Sequence, residues 1–579
     1  MRDIDPITIA TTWHYMQRVC REMRESTERT ATNALVVTLH DLAYGIWDAT
    51  GRAIAIPEGF PCRLISSSFP VRTALKRYEG RIYPGDEFLT NYPPDGAIHL
   101  NDWVFVRPIF YDDELLFWTC MGTHVLDTGG AQPGSHFLAF DSIGEGLNIP
   151  LTKIATRHEN NEEVLNLILA NNRMPETMKK EIASLRGSTA LAERRMVELL
   201  DKYGRDTVLD CIDEMVSRTE KAVRAEIAAW PDGTYSAEVF TDDDGANLGT
   251  RVGVRCELTI KDDELYFDFT ESDAQVKGFI NSYYQQTLSI TACATFLFLG
   301  KELAPYHNEG SLVPIHVKTK KGTVVDAYPG ALVAGAPAIT GNLVVESVMT
   351  VLSQALPDRA ITPYSRPLHP NLTGWDPRDD QLYVFVSMCP CAGTGGISGY
   401  DGYQRAVETS TLGVVGKSDA EYEMVMYPWD IERYEFSTDS HGAGKWRGSP
   451  GIVWEVVNEG SRCMCHGGSW SGFHTQAPGQ QGGQSTPFNK AYILREGVKK
   501  EDIVEPHAEI LIDPGDHFIA MTGGGAGMGR PDERDPEMVR TDVLNELVSV
   551  QFARDIYKVA IDEETLEIDY EATNSLRSV

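Results

Sequence analysis

The chain carries two His-x-x-Asp units, His99-Leu-Asn-Asp102 and His124-Val-Leu-Asp127, placed 25 residues apart. Imidazoles and carboxylates are the ligands that first-row divalent metals share, so two such units brought together can hold one ion. Two imidazoles with one or two carboxylates leave coordination positions open. That suits Zn²⁺, Mn²⁺ or Fe²⁺ at a reactive centre better than a closed structural zinc. Water on such an ion ionises near pH ~7 and becomes a nucleophile for a carbonyl or imidate carbon. Glu145, in Gly144-Glu-Gly146, is a candidate general base or an acceptor behind the ligands, with a turn carboxylate as the equal alternative. Asp41 follows the apolar run Leu35-Val-Val-Thr-Leu39, where a carboxylate is costly unless a metal or a neighbouring arginine compensates it. Asp127 is equally a turn or helix-cap aspartate, and His136 is a weaker pocket candidate.

A hairpin is needed to bring the two units together. Trp103 to Phe117 alternates and is rich in β-branched and aromatic residues on either side of Asp112-Asp113. A two-residue loop there pairs residues whose numbers sum to 225, which sets His124 opposite Asn101 and on the face of His99. A three-residue loop sets Asp102 opposite His124 and moves His99 off that face. In either register one ligand comes from irregular backbone. The approach Asn91-Tyr-Pro-Pro-Asp-Gly-Ala97, with two prolines and a glycine, places His99 where loop becomes strand or at a bulge.

Composition narrows the partners. The 579 residues suffice for several cores, and the net charge of −32 repels nucleic acid and anionic membrane surfaces while permitting metal cations. The N-terminus lacks a basic segment followed by an apolar core, and no window is read as approaching the ~20 apolar residues of a membrane span, so the expected location is the cytoplasm. Ten cysteines in so long a chain do not form a secreted disulfide framework. Cys389-Pro-Cys391 and Cys463-Met-Cys465 could share a zinc, but C-x-C spacing favours buried apolar thiols.

The expected fold class is α+β and multi-domain, in four segments. Residues 1–158 form a β-rich metal-site region that opens with a helix over 10–33, where Trp13, Met16, Val19 and Met23 recur at helical spacing. Leu35–Leu39 is expected as a buried strand, and Ala43–Trp47 with Arg52–Ile56 as a hairpin. Residues 159–231 are helical, with breaks at Met174-Pro175 and Lys202-Tyr-Gly204. Residues 232–383 mix strands with a buried helix over Thr287–Leu299. Residues 384–579 are glycine-rich and β-containing, with strands at Glu421–Met426 and Gly451–Val456 and a helix over Asp542–Asp555. The run Thr522-Gly-Gly-Gly-Ala-Gly-Met-Gly529 lacks the Gly-Lys-Ser/Thr ending of a phosphate loop, so a tight turn approached by other backbone is the better reading. If ATP is used, another polypeptide is expected to bind it.

Taken in order, Gly45-Ile-Trp-Asp-Ala-Thr-Gly51, His99-Leu-Asn-Asp102, His124-Val-Leu-Asp-Thr-Gly-Gly130, Glu145-Gly-Leu-Asn-Ile-Pro150, Asn308-Glu-Gly310, Glu432-Arg-Tyr-Glu-Phe436 and Gly442–Gly448 resemble the hydantoinase B/oxoprolinase family along nearly the whole chain. The resemblance implies a subunit that works with a hydantoinase A-type ATPase in a hetero-oligomer. That partner phosphorylates a carbonyl or enolate oxygen and the present chain completes the reaction at a metal. It implies His99, Asp102 and His124 as ligands, with Asp41 as a further ligand or base. The implied reaction is ATP-dependent hydrolysis of a cyclic amide, a lactam such as caprolactam, to an ω-amino acid. Subunits of hydantoinases, 5-oxoprolinases and ketone carboxylases are the alternatives, and a non-catalytic scaffold the remaining one. Asn91-Tyr-Pro93 stands where Asn-Asp-Pro is common, and Gly96-Ala-Ile-His99 where Gly-Gly-Thr-His is usual, both in the loop before the ligands.

Overall fold

Around Asp112-Asp113 the alternating apolar run folds as a long hairpin, in a computed structural model that describes residues 4–135, 137–404, 406–467, 470–495, 498–503 and 509–578. Its strands are β4 (Asp102–Tyr111) and β5 (Glu114–His124), in a seven-stranded antiparallel sheet with β1 (Leu42–Asp48), β2 (Ala53–Ala55), β3 (Glu87–Thr90), β6 (Thr152–Thr156) and β7 (Glu159–Asn160), ordered β2-β1-β5-β4-β3-β6-β7. Asp112 and Asp113 both take positive φ, 49° and 64°, as a two-residue hairpin turn of the primed kind requires. At the tip Tyr111 pairs with Glu114 and Phe110 with Leu115, the register of a two-residue loop. A β-bulge between Ile109 and Phe110 then shifts the pairing by one, so Ile109 meets Phe117 and Asp102 meets His124. Both registers foreseen for the hairpin are therefore present, joined by the bulge.

The chain forms two compact units, Met1–Thr234 with Glu257–Pro337, and Tyr235–Cys256 with Ala338–Val579. In the first, the helix Pro6–Thr30 lays Trp13, Met16, Val19, Cys20 and Met23 into the core beneath the sheet. Helices Glu162–Ala170, Pro175–Tyr203 and Arg205–Ile227 form the helical segment, and Gly204 at φ 81° turns the chain between the last two. The long helix Pro175–Tyr203 contributes Leu185, Ala192, Met196 and Leu199 to the same core. The buried helix expected over Thr287–Leu299 spans Tyr284–Phe296.

In the second unit, one sheet of four strands, ordered Gln381–Val386, Asn371–Asp376, Cys463–His466, Glu509–Ile512, and one of five share a core of Trp454, Trp470, Phe385 and Phe518. Cys389, Cys463 and Cys465 belong to this apolar core, and all ten cysteines are buried and unbridged. The glycine run is the backbone-on-backbone packing expected of it. A Cβ on Gly524 would meet Ser449 O at 1.9 Å, one on Gly525 Thr394 O at 2.1 Å, and one on Gly527 Ala443 O at 2.1 Å.

Four expectations need correction. Leu35–Leu39 is not a strand: Ala34–Val37 is a helical turn, because Asn33 caps it by accepting from Leu35 N at 2.9 Å, and Glu181 takes the N–H groups of Thr32 and Asn33. Glu421–Met426 lies in a helix, Ala420–Met426, which buries Glu423 so that it accepts from Ser387 Oγ. The helix expected over Asp542–Asp555 is two, Pro536–Leu544 and Val550–Asp555, the second capped by Ser549 Oγ. The stretch Ala336–Ala355 is long and apolar enough to cross a membrane by length and composition, and all of it but Gln354 is buried inside the protein.

Candidate metal centre

Three strand ends supply one row of the site. Leu42 pairs with Thr123, and Thr123 with Trp103, so the next residues outward, Asp41 just before β1, His124 at the end of β5 and Asp102 at the start of β4, stand side by side. His99 comes from the turn just before β4, where Asp102 N donates to His99 O at 3.0 Å. The ring centroids of His99 and His124 are 4.9 Å apart, edge to face, and His99 Nδ1 lies 3.6 Å from Asp102 Oδ2. The structure thus brings His99 and Asp102, His124, and Asp41 together from three separate segments.

Asn91, with no exposed surface, builds the turn. Its Nδ2 donates to Leu100 O at 2.7 Å, Leu147 O at 2.8 Å and Thr128 Oγ1 at 3.2 Å, while its Oδ1 accepts from Ile149 N at 2.7 Å. One side chain therefore pins the segment carrying His99 to the segments at 128 and 147–149. Asn101 Nδ2 adds a bond to Val125 O at 2.9 Å, and Asn33 Nδ2 holds His124 O at 2.7 Å. Gly96, at φ 118°, leaves no room for a side chain, since a Cβ would meet Pro70 Cδ at 2.4 Å.

Sequence reasoning missed Arg63. It is 1% exposed, and its guanidinium donates to Asp102 Oδ1 and to Asp41 Oδ1. Of the two compensations open to Asp41, the arginine is the one observed. Phe60 lies under the guanidinium, with Cζ 4.8 Å from the ring centroid. Burial works against the Arg63 charge, but Asp102 and Asp41 outweigh it and hold its pKa above the usual range. No motif pointed to it: Arg63 follows Cys62 in a four-residue helix, Pro61–Leu64, remote in sequence from both units.

His99 Nδ1 and Asp102 Oδ2 are buried without a hydrogen-bond partner. Burial pushes the His99 pKa down, with Asp102 opposing and Arg63 reinforcing the shift, so its imidazole is neutral and keeps a lone pair for a cation. Two imidazoles, an acceptor oxygen and a further carboxylate are the donor set a divalent metal takes, and the residues present fit one.

The remaining candidates fall elsewhere. Asp127 is bound by Arg173, through its N–H at 2.8 Å and Nη1 at 2.9 Å, which also reaches Gly130 O through Nη2 at 2.7 Å. It anchors the loop after β5. Glu145 Oε1 accepts from Val333 N at 2.8 Å and Ala334 N at 2.9 Å, while Oε2 has no partner; burial pushes its carboxyl up to about 8 against those two donors. Glu145 ends the short helix Ser142–Glu145, and a Cβ on its neighbour Gly146 would meet Thr128 Cγ2 at 2.6 Å and Leu100 Cδ1 at 3.5 Å, so this segment backs the turn that carries His99. His136 lies outside the described residues.

A further trio, Glu432, Glu455 and His517, has its donor atoms all within 4.8 Å of one another. Glu432 sits at a β-bulge, His517 Nδ1 is 2.8 Å from Glu455 Oε1, and Arg433 Nη1 is 3.8 Å from Glu455 Oε2. With an imidazole and a guanidinium already serving the carboxylates, it is an ion-pair cluster.

Residues 5–531 match the family model described as hydantoinase B/oxoprolinase. The chain belongs to that family. Over its full length, and that of its relative, it is 30% identical to the beta chain of the caprolactamase of Pseudomonas jessenii. It is 28% identical to one chain of a putative D-/L-hydantoinase of Pseudomonas sp. strain NS671, and covers 99% of it. A solved structure of the ATP-dependent caprolactamase of Pseudomonas jessenii superposes with a TM-score of 0.91 at 29% identity, covering both chains completely. The mixed α/β, multi-domain fold is that of this relative. Members of the family include ATP-dependent hydrolases of cyclic amides, and its relatives are named as subunits of larger enzymes.

Proposed function

We propose that this chain is the metal-bearing subunit of a two-component, ATP-dependent cyclic amide hydrolase whose substrate is a lactam of the caprolactam kind. The observation that carries the reading is the meeting of Asp41, His124 and Asp102 in one cross-strand row with His99 beside them, in a chain alike over its whole length to the beta chain of a caprolactamase. Amide resonance makes a lactam carbonyl a poor electrophile. Phosphorylation of its oxygen by a hydantoinase A-type ATPase partner, which binds the ATP and releases ADP, would activate the carbon for attack by water; the ring C–N bond then breaks, the nitrogen leaves as a protonated amine, and a second water releases phosphate from the resulting acyl phosphate to give the ω-amino acid.

His99, His124 and Asp102 would hold Zn²⁺, Mn²⁺ or Fe²⁺, with Asp41 assisting as ligand or base. When bound, the ion supplies Lewis acidity that lets a water ionise near neutral pH. The rest is done by the chain itself. His99 stays neutral through burial, and the Asn91 bonds hold its turn in place. Asp41 can take a proton from the attacking water. Glu145, whose carboxyl is pushed up to about 8 by burial, keeps its proton at neutral pH and holds Val333 N and Ala334 N in the segment behind the turn of His99.

The test is to purify the chain with its ATPase partner, measure bound metals, and assay lactams, hydantoins, oxoproline and ketones with ATP, with and without bicarbonate. Lactam opening that needs ATP and both chains supports the proposal. H99A or H124A should abolish it, and the bound metal, while the circular dichroism spectrum stays unchanged. Turnover of ketones only with bicarbonate, or full activity of the partner alone, would overturn it.

A further inference from the structure

Arg63 is held at both ends of its guanidinium fork and along its stem. Its helix Pro61–Leu64 is tied down where Ser289 Oγ donates to Pro61 O at 2.5 Å and accepts from Ile65 N at 3.0 Å. Phe60 lies under the guanidinium, and the Cδ passes 3.8 Å from where Gly122 of β5 would carry a Cβ. The fork spans two carboxylates at once, Nη1 on Asp102 and Nη2 on Asp41, and Asp102 is as buried as the arginine, at 1%. Without a metal, the buried carboxylate of Asp102, the part-buried one of Asp41 and one guanidinium leave one negative charge in the pocket. A divalent ion would bring the same pocket to one positive charge.

The two cations therefore call on the same two side chains. We infer that Arg63 is the resident counter-cation of this site: it holds Asp41 and Asp102 in the metal-free protein and competes with the ion for them. The inference rests on the metal reading above. A thermodynamic cycle gives it a definite sign, because whatever Arg63 contributes to the metal-free fold and not to the loaded one appears as weaker metal binding. An arginine that positioned Asp102 for the ion would show the opposite sign.

The experiment compares the full chain as wild type, R63K, R63M, D41N/D102N, and R63M within D41N/D102N. Melting temperature is read after chelation and again with saturating Zn²⁺ or Mn²⁺, and metal affinity by competition with a chelating dye. R63M should lower the metal-free melting temperature more than the loaded one and tighten metal binding at least tenfold. R63K should fall between, since one ammonium cannot bridge two carboxylates as a guanidinium fork does. In the D41N/D102N background the R63M change should cost little. Equal losses with and without metal, or weaker metal binding in R63M, would overturn the inference. Should R63M fail to fold, R63K carries the same comparison. If the wild type takes up no metal, the metal reading falls by itself; the carboxamide background then decides the arginine's role, and a full R63M penalty there overturns it.

Discussion

Replacing Asn91 by alanine is the sharpest probe of how the turn that carries His99 is built. The change deletes the bonds to Leu100 O and Leu147 O and the acceptor for Ile149 N, three main-chain groups in a place with no exposed surface. Leaving a buried polar group unsatisfied costs about 1–3 kcal/mol, and with partial relaxation the three together should cost about 3–5 kcal/mol. That is a large share of the roughly 5–15 kcal/mol that holds a protein folded. Because Leu100 is next to His99, slack in the turn also moves the proposed ligand His99, so metal affinity should fall at least tenfold alongside stability. N91D sharpens the test: one carboxylate oxygen can still accept from Ile149 N, but the other faces two carbonyl oxygens with no proton to offer. It should be at least as damaging as alanine. Urea unfolding and metal content read both effects. If N91A stays within about 1 kcal/mol of wild type and keeps its metal, the turn is held by other bonds, such as Asn101 Nδ2 to Val125 O and Gln285 Nε2 to Ala97 O, and the reasoning fails.

The pH dependence of stability has a sign fixed by Glu145. The folded chain keeps a proton there up to about pH 8, whereas an unfolded chain loses it near the ordinary 4.5. Stability from this group is full below about pH 4.5 and is lost as pH rises towards 8, so E145Q should flatten the melting-temperature profile across that window; an unchanged slope counts against the assignment. D127N should lower the melting temperature through the loss of the Arg173 charge pair and leave metal content at the wild-type level, and loss of metal would return Asp127 to the ligand set. G525A, with its Cβ 2.1 Å from Thr394 O, should yield no soluble folded protein, and a normal melting curve would show that the glycine stack can open.

Much was legible before any coordinates. Alternation around Asp112-Asp113 is a local signal with period two, so the hairpin was readable, and helical spacing gave a first helix over 10–33, which spans Pro6–Thr30, and the helices at 162–227. The His-x-x-Asp units offered imidazole and carboxylate ligands through residue type alone. Leu35–Leu39 and Glu421–Met426 were misread because short apolar or mixed runs satisfy either period. A cap at Asn33 and a buried Glu423 decided them, and both depend on groups distant in sequence.

The site itself needed the fold. The sequence alone determined that imidazoles and carboxylates were available in a hairpin, but its alternatives differed by one residue of register. A bulge at Ile109/Phe110, a matter of strand twist and packing rather than residue type, put Asp102 opposite His124. Asp41 joined them because β1 pairs beside β5, and Arg63 because a short helix packs over the strand ends. Ligand identity is local chemistry and can be spelled out in sequence. Which carboxylates share a cation is decided by charges brought together from far along the chain, and only tertiary structure does that.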